Sequence, residues 1–95
     1  MFYVAFAKNA NPLDRDDLMA RSQKWWNEGE RPEGLKMTAA FRTVGGATPN
    51  VFIFETDSHD DLMKAVSFWR GLVEFDIHPA LDALAEWRDQ GMKVD

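Results

Sequence analysis

The chain contains no cysteine. That absence excludes a disulfide framework, a thiolate metal site and a cysteine nucleophile, and with nothing pointing to an oxidising compartment the expected location is the cytoplasm. Long apolar runs are missing too. FYVAFA at residues 2–7 is too short for a signal-peptide core and has no basic region ahead of it, while no stretch approaches the ~20 residues of a membrane helix. The expectation is a protein neither secreted nor membrane-spanning. Basic residues are in the minority, 11 Lys and Arg against 16 Asp and Glu for a net charge of -5, and they form no stripe. Such a chain repels phosphate backbones, so nucleic acid is not an expected partner. What is present is hydrocarbon: 45% hydrophobic and 13% aromatic residues in a chain of 95. That is more than a disordered chain carries, and it suffices for one small folded domain over residues 1–95.

Turn residues divide the chain cleanly. FYVAFAK (2–8) reads as a strand stopped by NANP. Asn11 as N-cap and Pro12 at the first helical position open a helix over about 12–28, with Leu18, Met19, Ser22, Trp25 and Trp26 at helical spacing. LKMTAAFRTV alternates Leu35, Met37, Ala39 and Phe41 against Lys36, Thr38, Ala40 and Arg42, the pattern of a second strand. GGATPN is turn chemistry, and VFIFET follows as a third strand, completing a hairpin. Ser58, three residues before Asp61, resembles a capping box for a helix over about 58–70 striped by Leu62, Ala65, Val66 and Trp69. Val73, Phe75 and Ile77 then alternate with Glu74, Asp76 and His78 in a fourth strand, after which Pro79 is expected to start a last helix.

The order βαββαβα, with right-handed crossovers, predicts an α+β ferredoxin-like split βαβ: a four-stranded antiparallel sheet, order 4-1-3-2, with helices on one face and an added C-terminal helix. On the alternation, the helix-covered face takes Phe2, Val4, Phe6, Phe41, Val51, Ile53, Phe75 and Ile77. The other takes Tyr3, Ala5, Thr38, Arg42, Phe52, Phe54, Glu74, Asp76 and His78. Aromatic rings among charges fit poorly with a face left bare in water.

The span GLKMTAAFRTVGG…VFIFETDSHDDLMKAVSFW…LVEFDIHPAL resembles the dimeric α+β-barrel superfamily, and within it a group of small bacterial proteins of unassigned function. Gly34, Gly45, Gly46, Glu55, Thr56, Asp57, Trp69 and Pro79 carry the likeness. It implies ferredoxin-like subunits paired sheet to sheet as a homodimer, enclosing a cavity for a small hydrophobic ligand. The wider superfamily includes cofactor-free antibiotic-biosynthesis monooxygenases, muconolactone isomerases and haem-degrading enzymes. No catalytic motif of theirs transfers residue by residue. In the similar group a His often follows an aromatic residue in the second strand, whereas here the pair is Phe41 and Arg42.

His78, two positions from Asp76, is the candidate general base, since a carboxylate can orient an imidazole for proton transfer; the alternatives are a helix N-cap or a dimer contact. Arg42 is the candidate for holding a carboxylate, phenolate or oxyanion, or else an intersubunit ion pair. Tyr3, Phe52 and Phe54, with Thr38, Glu74 and Asp76, are the candidate ligand-binding walls, or plain dimer packing. Glu74 and His78 lie ~13 Å apart on a strand, too far to share one ion, so no metal is expected. No cofactor is expected either. Of the adjacent Trp25 and Trp26, one should pack and the other reach a cavity mouth. Trp69 and Trp87 are expected in the core or between helices, and His59 in solvent. GGATPN, with no lysine and no helix after it, is not a phosphate loop. The expected function is a homodimeric small-molecule-binding protein, possible as a cofactor-independent oxygenase or isomerase for an aromatic or polyketide-like ligand. The competing expectation is a non-catalytic module whose sheet face serves only dimerisation.

Overall fold

The computed structural model describes residues 1–9, 15–44 and 48–94. The elements run β1 (Phe2–Asn9), α1 (Arg15–Asn27), β2 (Lys36–Phe41), β3 (Asn50–Glu55), α2 (His59–Phe68), β4 (Val73–Ala80) and α3 (Ala83–Asp89). The strands form one antiparallel sheet in the order β2-β3-β1-β4, the expected order, consistent with a ferredoxin-like fold. The proposed cap Asn11, Pro12 and the Gly45–Gly46 turn lie outside the described residues.

Both long helices pack on one face of the sheet. Trp25 of α1 and Leu62 and Ala65 of α2 are buried against Ala5 and Phe54, with Leu35 closing the cluster. Trp25 stands 5.2 Å from Phe68 and 5.7 Å from Trp69, ring centre to ring centre, in tilted arrangements favoured by aromatic quadrupoles. Ser58 caps α2 as anticipated, its Oγ accepting from the Asp61 N–H at 3.1 Å. The box is only half formed. The Ser58 N–H goes back to Thr56 Oγ1 at 3.0 Å instead of to the Asp61 carboxylate.

The expected faces are reversed for β1 and β3. Tyr3, Ala5, Phe52 and Phe54 pack toward the helices, while the cross-strand partners Phe2, Val4, Phe6, Val51 and Ile53 share the uncovered side. The reason is steric. Trp25 and Leu62 bring large volume to the sheet, and Ala5, at 0% exposure, is the small residue of the same cluster that accepts it. Both phases of these strands are apolar, so alternation alone carries no sign. In β2 the phase changes midway, because a bulge between Met37 and Ala39 makes Thr38 an extra residue. Met37 stays on the helix side, but Phe41 moves to the open side and is 64% exposed. Only β4 keeps its assignment, with Phe75 and Ile77 inward.

The start of the last helix also differs from expectation. Pro79 lies within β4, opposite Tyr3, and an edge strand tolerates its missing N–H. Asp82, not His78, is the N-cap of α3, its Oδ1 accepting from the Ala85 N–H at 3.1 Å. α3 buries no residue, and Trp87, expected in the core or between helices, is 44% exposed. No helix among the described residues is long and apolar enough to cross a membrane.

Candidate functional site

The uncovered sheet face has an apolar centre and one charged edge. Across it, Phe41, Val51, Phe6 and Asp76 form one row from β2 to β4, and Ala39, Ile53, Val4 and His78 form the next. On β4 the outward phase is Glu74, Asp76 and His78, all exposed. Lys8 stands directly opposite Glu74, and Lys36 opposite Glu55 at another corner of the sheet. Opposite charges facing across strands favour this register.

Residues i and i+2 share a strand face, which lets Asp76 and His78 meet. His78 Nε2 lies 2.8 Å from Asp76 Oδ1, and the Phe6 ring meets the imidazole edge-on at 6.4 Å. With Nε2–H donated to the carboxylate, Nδ1 of a neutral imidazole is left as the proton acceptor. Next to Asp76 is an open recess of about 400 Å³ lined by Phe6, Lys8, Pro49, Glu74, Phe75 and Asp76, and His78 is not part of its wall. Among the described residues no group of three His, Cys, Asp or Glu is placed to hold a metal ion.

Of the residues singled out in the sequence, Glu74, Asp76 and His78 thus come together on the open face. Arg42 does not join them. It follows the last residue of β2, at the opposite edge of the sheet, and is exposed. Thr38 sits in the bulge, its hydroxyl donating to the Ile53 carbonyl at 3.1 Å. Tyr3, Phe52 and Phe54 belong to the helix side.

Phe52 and Phe54 nonetheless line a cleft there. It holds about 200 Å³ between the sheet and the helices, with Trp25, Trp26, Met37, Ala40, Trp69, Val73 and Phe75 completing its wall. Trp25 is 2% exposed and Trp26 is 53% exposed, the division expected of two adjacent helical tryptophans. The open-face residues Phe2, Val4, Phe6, Val51 and Ile53 were not read as site residues. The one available signal was the run of small residues at Ala5 and Ala7, which marks the side where tryptophans must fit.

The fold defines a small α+β protein with a helix-covered and an uncovered sheet face. Its sequence matches, over residues 1–93, the model of a domain of unknown function, DUF3303, and the chain belongs to that family. No curated protein matches the chain.

Proposed function

We propose that the protein is a homodimer that pairs two uncovered sheet faces and binds a small molecule beside β4. The observation that carries this is the apolar centre of that face: Phe2, Val4, Phe6, Ala39, Phe41, Val51 and Ile53 point away from the helices. The chain exposes 7041 Å², about 1,400 Å² more than the roughly 5,600 Å² typical of a folded monomer of its mass. A standard interface removes about 800 Å² from each partner, so a second copy of the same face is a sufficient occupant. Sheets packed face to face lie about 10 Å apart, which leaves side-chain-sized space where the facing residues are small or polar.

On this reading the recess beside Glu74 and Asp76 becomes the ligand chamber. His78, oriented by Asp76, moves the proton, as a cofactor-independent isomerase or oxygenase requires of its base. Antiparallel pairing of two copies brings Arg42 of one subunit toward the β4 carboxylates of the other, where it balances them or holds an anionic aromatic ligand. The apolar centre also favours a second reading, in which the interface is filled throughout and serves only association. Light scattering at micromolar protein tests what both readings share. Twice the 10.9 kDa chain mass is expected, and a persistent monomer overturns both. Thermal melts with a panel of anionic aromatic compounds then separate them: a shift lost in His78→Ala and Arg42→Ala, with the dimer intact, supports the chamber, and no shift supports the filled interface.

A further inference from the structure

We propose that the helix-side cleft is a second binding site, for one small, flat, uncharged aromatic molecule. It lies on the opposite side of the sheet from the chamber above, and the inference stands without it. Protein interiors rarely leave voids larger than a water molecule, because a wall that faces empty space forfeits its dispersion contacts. Here about 200 Å³ opens among the rings of Trp25, Trp69, Phe52, Phe54 and Phe75, at the edge of the main hydrophobic cluster, where Trp26 and Ala40 meet solvent.

The lining decides the chemistry of the occupant. Among the described residues, none that lines the cleft carries a charge, so an ionic ligand inside it would lose its hydration with nothing to replace it. Water in the cleft finds few hydrogen-bond partners on these walls, so an apolar ring that displaces it gains affinity. Ring walls complement another ring by offset or edge-to-face contact, and the thioether of Met37 adds a polarisable contact to an aromatic edge. Size sets the upper limit. A dry apolar cavity of ~150 Å³ accepts benzene, so this one accommodates about eight non-hydrogen atoms, between a substituted benzene and a fused bicycle.

An entrance is also present. Trp26, half-exposed at the edge of the cleft, is held from outside by the Arg31 guanidinium, 5.5 Å from its ring centre. Ala40, exposed on β2, lies on the same rim. Small side chains at the rim leave the passage open, and a large one would close it.

The test is a titration of the intact protein with toluene and with indole, followed by the indole N–H signals of its tryptophans in ¹⁵N-resolved NMR spectra. Saturable shifts are expected at Trp25 and Trp69, with a Kd of about 0.1–1 mM given ordinary contact energies per ligand atom. Benzoate, of similar size but charged, should leave those signals in place over the same range. Ala40→Phe should weaken toluene binding at least tenfold, and because the position is exposed the variant should keep the wild-type melting temperature. Absence of saturable shifts in the wild type, equal response to benzoate, or undiminished binding to a folded Ala40→Phe variant would each overturn the proposal.

Discussion

At the scale of single residues, Thr56 ties the end of β3 to the start of α2. It is buried, at 4% exposure; its N–H donates to the Met1 carbonyl at 3.0 Å, and its Oγ1 accepts from the Ser58 N–H at the same distance. Ser58 in turn caps α2 through Asp61 N–H. Thr56→Val keeps the shape but leaves the Ser58 N–H without that partner, so a loss of about 1–3 kcal/mol is expected. Thr56→Ser should retain most of it. Urea denaturation midpoints of the two variants check this, and equal midpoints would show that the hydroxyl contributes nothing. At Gly34, one of the positions of the sequence likeness, a Cβ would meet the end of the Asp61 side chain, which would have to rotate away to make room.

At the scale of elements, α2 depends on α1 for its C-terminal end. It has no basic residue in its last turn, yet its end is not bare: Arg21 Nη1 donates to the carbonyls of Phe68 and Arg70 at 2.8 and 3.0 Å. A cation at a helix C-terminus satisfies orphan carbonyls and complements the macrodipole. Arg21→Met, which keeps the aliphatic stem, should cost about 1–2 kcal/mol and lower the melting temperature, whereas the same change at the exposed Arg88 should not. Nothing in the local sequence of α2 reveals this contact, because it comes from a residue 47 positions away. What was legible was periodic or punctuated: the strand order, the Ser58 cap, and the inward phase of β4, where carboxylates and hydrocarbon separate cleanly. The faces of β1 and β3 were not legible, since FYVAFA and VFIF are apolar in both phases and only packing against Trp25 breaks the tie. The Thr38 bulge was hidden for a related reason. An inserted residue changes the phase of a strand without changing its composition. Pro79 misled in the other direction, because a residue that opens helices is equally at home on a sheet edge.

At the scale of the whole molecule, the shape is elongated. The radius of gyration is 15.1 Å, against about 12 Å for a compact domain of this length, and Leu81 ahead of α3 and Leu84 and Trp87 within it are exposed. On the uncovered sheet face the position to probe is Phe41, at the β2 end of the row that runs through Val51 and Phe6 to Asp76. Because that side chain is 64% exposed in the single chain, Phe41→Glu removes little from the fold of the subunit, and its circular dichroism should match the wild type. In a face-to-face dimer the same change buries a carboxylate among apolar groups. An uncompensated buried charge costs about 3–5 kcal/mol, which corresponds to a factor of about 10² to 10⁴ in the association constant for each of the two substituted subunits. His78→Ala, at the exposed rim of the face, should leave the association constant nearly unchanged. Sedimentation equilibrium on the three proteins distinguishes the possibilities: a dimer lost in Phe41→Glu and kept in His78→Ala supports pairing through the sheet centre. A dimer insensitive to Phe41→Glu would move the interface elsewhere, with the exposed apolar side chains of α3 as the next surface to substitute.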